Sequence, residues 1–178
     1  MNTSNTIKRS LMFSKGDDLY FLSYNVLLLL QGLKCECGKR IFKDHRKLAF
    51  LIDFISNRNL AVTLKQSGPV LNVIDRELFT RAYADGLLRL NQVIRLLFTL
   101  EKRGFIQLKR EIKTNTIDVC VIPGNQLNDF FDKKLFKLEA ENLDVIKAAI
   151  PKLNVLTLDT LLNRLFDNHG VRTWDKFL

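Results

Sequence analysis

Cys35, Cys37 and His45 come nearest, by residue type and spacing, to a metal-binding group. Structural zinc usually takes four ligands, and its paired cysteines are commonly separated by two to four residues. Here one residue separates Cys35 from Cys37, Cys120 falls on a predicted strand, and His169 lies far along the chain. We therefore expect no bound metal, with a zinc site as the less favoured alternative. The odd number of cysteines, three, predicts free thiols and a reducing compartment.

Motifs that carry catalysis are missing from the sequence. It contains no glycine-rich phosphate loop, no Gly-x-Ser-x-Gly elbow and no His-Glu-x-x-His motif. The acidic residues Asp17, Asp18, Asp129 and Asp132 are more simply explained as charges near helix starts. The sequence therefore predicts a protein without catalytic activity and without a cofactor. A small hydrolase or nuclease is the least favoured class.

Lysine and arginine residues are frequent in the segment that follows residue 90. The formal net charge is +9, and such an excess raises encounter rates with polyanions such as DNA or RNA. On a predicted helix, polar and basic side chains share the face opposite the apolar stripe, and further cations follow in a predicted hairpin. Together they form a candidate nucleic-acid-binding surface: Gln92, Arg95, Lys102, Arg103, Lys109, Arg110 and Lys113.

A solvated face is the simpler explanation of the same charges, because surface helices are normally polar on their outer side. An acidic protein surface would also suit them. Side chains able to read bases are few, with Asn91, Gln92 and Arg95 as the nearest candidates. If DNA is bound, we therefore expect nonspecific contact with phosphates in preference to recognition of a base sequence.

Apolar side chains are concentrated at both ends of the chain. Leu27 and Leu30 belong to a predicted first helix whose apolar residues cover nearly every face, and Trp174 and Phe177 lie on a short tail beyond the last predicted helix. Such residues must be buried by their own chain or by another one, and aromatic anchors are frequent in interfaces. We expect these side chains to bind a partner protein.

Hydrophobic periodicity predicts the helices that must position these surfaces. After a polar leader (residues 1–18), residues 19–33 form the first predicted helix, and Asp44 is a candidate N-cap for a second one. A weaker helical segment covers residues 58–66 and ends at a Ser-Gly-Pro turn. The second helix has the i, i+3, i+4, i+7 spacing of an amphipathic helix: Leu48, Leu51, Ile52 and Ile55.

Two helices in tandem are predicted in the middle of the chain. The first starts at Asp75 and ends near Gly86. The second is capped by Asn91 and ends at Gly104, a residue suited to the left-handed position after a helix. Together they predict a helix-turn-helix.

A β-hairpin is predicted directly after these helices. Residues 105–112 and 117–122 have β-compatible patterns and are joined by a Thr-Asn-Thr turn. Helices followed by such a hairpin have the layout of a winged helix, which is a helix-turn-helix elaborated by a β-wing. A generic helix-plus-hairpin arrangement is the alternative.

The predicted fold is mainly α with a small β-hairpin. A winged-helix-like region (residues 19–123) is extended by N-terminal and C-terminal helices, and a C-terminal helical region (residues 124–178) contains a break at Pro151 and a final helix capped by Thr157. No apolar run is long enough to cross a bilayer, and the N-terminus lacks the features of a secretory signal. We therefore expect a cytoplasmic protein that does not enter membranes.

Three stretches of this sequence have a familiar pattern: residues 24–30, residues 43–51, and residues 75–79 with the winged-helix run to residue 122. In these stretches the chain resembles the small middle components of bacterial ABC-three-component systems, a group that includes Lamassu-type antiphage defence. The resemblance covers roughly residues 20–122 and rests on hydrophobic patterns without a site motif. No functional residue is therefore carried over from the family.

The resemblance implies a non-catalytic adaptor that bridges an SMC-like coiled-coil ATPase and an effector, often a nuclease, in a complex that senses foreign or unusual DNA ends. The ATP and metal chemistry would then belong to the partners. A stand-alone winged-helix transcription regulator is the alternative. It would bind DNA sequence-selectively, whereas the adaptor would co-purify with a large ATPase.

Overall fold

The computed structural model describes residues 19–66, 68, 71–123 and 136–174. The described part of the chain is mainly helical and contains one two-stranded antiparallel sheet, which confirms the predicted class. The helices are α1 (Leu19–Gly32), α2 (Arg46–Ser56), α3 (Arg58–Gln66), α4 (Val73–Lys102), α5 (Lys137–Ala149) and α6 (Leu158–Leu165), and the strands are β1 (Ile106–Glu111) and β2 (Thr116–Val121).

The first two helices are largely enclosed by the rest of the chain. Every residue of α1 from Tyr24 to Leu30 is buried, and most of α2 is buried as well. A helix that is apolar on all sides needs neighbours on all sides, and α1 contacts α2, α4, α5 and β2. The predicted first helix is confirmed, and its surplus of apolar surface is covered within the chain.

One continuous helix, α4, replaces the two helices predicted in tandem. The side chain of Asn72 caps its start by accepting the backbone N–H of Asp75 at 2.8 Å. Gly86 lies in the middle of this helix. A side chain at this position would overlap the ring of Phe50 on α2, which explains why the residue is a glycine. Asn91 is an exposed residue within the helix, not a cap. The prediction of a helix end at Gly86 and a new start at Asn91 was therefore wrong.

The hairpin follows α4 directly, as predicted. Gly104 adopts the left-handed conformation (φ 76°) and lets the chain reverse. In the antiparallel register of the two strands, Leu108 pairs with Val119. The segment between α1 and α2 lies along the other edge of β2. There Phe42 and Val119 exchange two backbone hydrogen bonds, of 2.9 and 2.8 Å.

The C-terminal helices pack onto the same core as the N-terminal ones. Helix α5 contacts α2 and α3, and α6 contacts α2. Thr157 caps α6 through its hydroxyl oxygen, which accepts the backbone N–H of Thr160, as predicted. Phe166, which follows α6, packs its ring against Phe54 and Tyr83. A single cluster of buried residues runs from Leu22 to Val171, so residues 19–123 and the described part of 124–178 share one core.

Among the residues that the structure describes, no helix combines the length and the apolar character needed to span a bilayer. Residues 124–135, at the start of the predicted C-terminal helical region, lie outside the described part of the chain.

Candidate functional site

Two of the three cysteines are joined, so the prediction of free thiols was wrong for that pair. Cys37, between α1 and α2, forms a disulfide with Cys120 on β2. The two residues are brought together because the backbone N–H of Cys37 donates to the carbonyl oxygen of Val121. Cys35 keeps a free thiol in the core, where burial raises its pKa to about 11. Spacing alone could not show this pairing, since it depends on the strand register.

His45 is used for local structure at the start of α2. Its Nδ1 accepts the backbone N–H of Ile117 at 3.4 Å, and its own backbone N–H donates to the carbonyl oxygen of Ile117 at 2.8 Å. Burial lowers the pKa of its imidazole. Within the described ranges, no group of three or more potential metal ligands comes together. The structure therefore gives Cys37 and His45 other partners within the chain.

The end of α4 and the hairpin carry a group of cations, which we call the wing end: Lys102, Arg103, Lys109, Arg110 and Lys113. All of its members are exposed, and none forms an ion pair with another described residue. The carboxylate of Glu101 fixes the hairpin to α4 by accepting the backbone N–H of Leu108 at 2.8 Å. The cations of the helix and of the hairpin are thus held on one rigid unit.

Carboxylates near the wing end are directed at backbone amides. Glu111 accepts the N–H of Lys113 at 3.3 Å, and the buried Asp118 accepts the N–H of Asp44 at 3.1 Å. These groups reduce the local positive charge without pairing with a lysine or arginine of the surface. Arg110 donates to the side-chain oxygen of Asn115 at 3.2 Å in the hairpin turn. The exposed ends of the cations remain available to phosphate oxygens.

The remaining members of the predicted nucleic-acid surface lie apart from the wing end. Arg95 is exposed on α4, about 10 Å before Lys102 along the helix axis. Its neighbours on the outer side of the helix are the exposed Leu88 and Phe98. Gln92 is half-buried on a flank of the helix. Apolar side chains beside Arg95 make this part of α4 a poorer surface for phosphates than the wing end.

The predicted partner-binding residues have different environments. Leu27 and Leu30 are buried in the core of this chain (4% and 0% exposed), so in this fold their side chains offer no surface to a partner. Trp174 is 79% exposed. Phe177 lies outside the described residues. A helix that is apolar on all sides has the same sequence pattern whether its own chain or a partner covers it. The sequence alone could not distinguish these two cases for Leu27 and Leu30.

The tail that carries Trp174 is fixed against α4. Arg76 donates to the carbonyl oxygen of Gly170 at 3.1 Å, and the backbone N–H of Trp174 donates to the hydroxyl of Tyr83 at 2.9 Å. The carboxylate of Asp167 accepts both the N–H and the hydroxyl of Thr173. The indole therefore projects into solvent from a held backbone, which lowers the entropy lost when such an anchor binds.

A cleft of about 450 Å³ lies between the first four helices. Its charged wall contains Arg89 and Asp53, which form a bidentate ion pair with two N–O distances of 2.8 Å. At the mouth, Arg58 and Arg81 lie near Glu141 and Asp85. Because each of these arginines has a carboxylate partner, the cleft presents less available charge than the wing end.

Comparison with protein-family models, with curated proteins and with solved structures finds no match to this chain. Three features of the described residues are suited to contact with another molecule. They are the wing end, the exposed side of α4 and the tail with Trp174.

Proposed function

We propose that this chain is a non-catalytic adaptor subunit of a cytoplasmic, SMC-like antiphage defence complex. It would join a coiled-coil ATPase to an effector such as a nuclease, and would contact DNA nonspecifically through the wing end. Neither a cofactor nor a membrane is needed for this role. The observation that carries the proposal is the wing end itself, a set of exposed cations without ion pairs to other described residues on a helix-hairpin unit.

A winged-helix arrangement is supported by the order of the elements. A helix is followed by the segment from Glu36 to Phe42 that borders β2, then by further helices, and finally by the hairpin. The long helix α4 directly precedes β1, which is the place of the recognition helix in a winged helix. Lysine and arginine side chains at the end of this helix and on the hairpin suit contact with the DNA backbone.

Partner binding is supported by the tail. Trp174 combines a largely exposed indole with a backbone held by Tyr83. Tryptophan is among the residues most often found at the energetic centre of protein interfaces. The family resemblance adds the ATPase and the effector as the proposed partners.

The alternative is a stand-alone winged-helix regulator of transcription. The same wing end would support it, but sequence-selective binding also requires side chains that read base edges. The outer side of α4 near Arg95 carries Leu88 and Phe98 instead. We therefore favour nonspecific contact.

DNA binding tests the wing end directly. We would measure the fluorescence anisotropy of labelled duplexes of unrelated sequence at several salt concentrations. The wild type would be compared with a triple variant that combines Lys109→Ala, Arg110→Ala and Lys113→Ala. Each lost phosphate contact should lower the salt slope by about one, so the triple variant should lose about three.

The matched control removes three exposed cations elsewhere on the chain, namely Lys65, Lys137 and Arg172. Its net charge equals that of the wing-end variant, but its salt slope should stay close to that of the wild type. Equal loss of affinity in the two variants would show that only net charge matters and would reject the wing end as the DNA site. Strong preference for one duplex sequence would favour the regulator.

The adaptor role needs a separate test. The chain would be co-expressed with its genomic neighbours and analysed by size-exclusion chromatography. We expect co-elution with a large ATPase that is weakened by Trp174→Ala but not by Val155→Ala, which changes another exposed apolar residue. Elution without any ATPase would reject the adaptor role.

A further inference from the structure

The outer side of α4 carries a line of exposed residues that the core does not use. Starting at residue 77, they follow one face of the helix at alternating spacings of four and three, so the same face of a second helix can lie along them. Leu88 and Phe98 on this line are 76% and 54% exposed. We call the whole line the α4 seam: Glu77, Arg81, Ala84, Leu88, Asn91, Arg95, Phe98 and Lys102.

We propose that the α4 seam binds the same seam of a second copy of this chain, with the two helices antiparallel. Antiparallel coiled coils place a and d positions opposite each other, and a two-fold axis makes every such contact occur twice. With the axis midway along the seam, Leu88 lies opposite Asn91 of the second copy. The same register places Glu77 opposite Lys102.

The charges of the seam are complementary in this register. Glu77 and Lys102 are exposed, and neither forms an ion pair with another described residue. Self-pairing brings them together at both ends of the interface. Arg81 lies opposite Phe98, where a guanidinium can bind over an aromatic ring.

The centre of the seam is also complementary in size. Arg95 lies opposite Ala84, whose small side chain leaves room for the long one. From there the guanidinium can reach Asp85, one residue further along α4. On one flank, the half-buried Leu87 and Ile94 come to lie opposite each other and extend the apolar contact.

The size of the surface indicates a weak dimer. In this register residues 77–102 of the two copies overlap, a length of about 39 Å at a width of about 10 Å, which gives roughly 800 Å² for two copies. Specific stable interfaces start near about 1,000 Å². We therefore expect concentration-dependent dimerisation in the micromolar range.

A second copy fits this surface better than other occupants do. An acidic helix would pair with Arg95 and Lys102 but would leave Glu77 facing a like charge. A DNA backbone would place phosphates against Leu88 and Phe98. Of these three occupants, only a second copy accounts for both the acidic start and the basic end of the seam. The seam shares Lys102 with the wing end but uses none of its other cations, so the inference holds whether or not the wing end binds DNA.

Sedimentation of the full chain, from low to high micromolar concentration, tests the pairing. Lys102→Glu should weaken dimerisation roughly tenfold, because two attractive contacts become repulsive. The same substitution lowers the net positive charge of each copy, which is +9 in the wild type. If only the repulsion between the net charges of the two copies mattered, the variant would therefore form a stronger dimer. The double variant Glu77→Lys/Lys102→Glu should restore wild-type dimerisation at an unchanged net charge. Lys109→Glu, which makes the same charge change on the hairpin, should not weaken the dimer.

The apolar contact and the register have their own tests. Leu88→Ser should weaken dimerisation roughly tenfold or more, whereas Ile112→Ser, at an 85% exposed residue of the hairpin end, should leave it unchanged. Mild oxidation should cross-link a chain carrying both Leu88→Cys and Asn91→Cys, but not one carrying Leu88→Cys and Phe98→Cys. A chain that stays monomeric at all concentrations would overturn the proposal. A dimer whose affinity is unchanged by every substitution on the α4 seam would also overturn it. Circular dichroism would verify that the variants remain folded.

Discussion

The ammonium group of Lys47 is buried 2.8 Å from the carbonyl oxygen of Leu153. The nitrogen also lies 3.3 Å from the carbonyl oxygen of Asn154 and 4.5 Å from the ring centre of Phe42. Helix α2 is thereby tied to the segment between α5 and α6. Burial lowers the pKa of this lysine to about 8, although Asp44 partly opposes the shift.

Lys47 should make stability increase with pH over a defined window. The unfolded chain binds this proton with a pKa near 10.5 and the folded chain with a pKa of about 8. Between these values the unfolded state holds more protons, so the contribution of Lys47 to the free energy of unfolding rises with pH, by up to about 3 kcal/mol. Urea unfolding of the wild type and of Lys47→Met, from pH 7 to pH 10.5, would measure it as the difference between the two proteins.

The comparison with Lys47→Met is needed because Cys35 acts in the opposite direction. Burial raises the pKa of this thiol to about 11, so its contribution is present below its unfolded pKa and is lost as pH rises towards 11. Most of the Cys35 shift comes from burial and is common to the wild type and the variant, whereas the smaller effect of the Lys47 charge on the pKa of this thiol is lost with the lysine. A difference that stays constant across the window would contradict the role assigned to Lys47.

The ion pair between Asp53 and Arg89 should be strongly coupled. The side chain of Arg89 is 7% exposed and that of Asp53 is 17% exposed, so removing either one leaves a largely buried charge. Arg89→Met or Asp53→Leu alone should cost about 3–5 kcal/mol, and the double variant should cost much less than the sum. A double-mutant cycle from urea unfolding gives the coupling. Additive losses would mean that the pair contributes little beyond its separate contacts.

Local patterns in the sequence were sufficient to predict much of the fold. Periodicity predicted α1 and α2, Gly104 predicted the end of α4, and Thr157 predicted the cap of α6. Each of these depends on residues close together in the chain. The exposure of the wing-end cations was also predicted from the sequence, because lysine and arginine side chains near a helix end or on a two-stranded hairpin are rarely buried.

Contacts between distant residues could not be predicted in this way. Gly86 has the sequence signal of a helix end, but the ring of Phe50 explains its presence inside α4. Leu27 has the pattern of an interface residue, but α1 is covered by the chain's own elements. The pairing of Cys37 with Cys120 depends on the contact between β2 and the segment before α2. Spacing alone contains none of this information.

Gly86→Ala should destabilise the protein although it improves helix propensity. Propensity alone would make alanine more stable by about 1 kcal/mol. The added methyl group would overlap Phe50, and overpacking of a core typically costs about 1–3 kcal/mol. Thermal unfolding would measure the sign. Gly68→Ala is a control outside the helices, because no described residue lies within 4 Å of a side chain added there. Stabilisation by Gly86→Ala would contradict the close contact between α2 and α4.

The disulfide predicts both a thiol count and a loss of stability on reduction. In denaturant without a reductant, iodoacetamide should modify Cys35 alone, and after reduction it should modify all three cysteines, as mass spectrometry would show. The disulfide closes a loop with a sequence separation of 83, so Cys37→Ser/Cys120→Ser should lower the free energy of unfolding by about 2–5 kcal/mol. The reduced wild type should lose a similar amount, whereas a reductant should leave the double variant unchanged. Modification of all three cysteines without reduction would show that the pair is open. In the cytoplasm, where the proposed function would place the chain, thiols are kept reduced, so the closed pair is expected after oxidation of the purified protein.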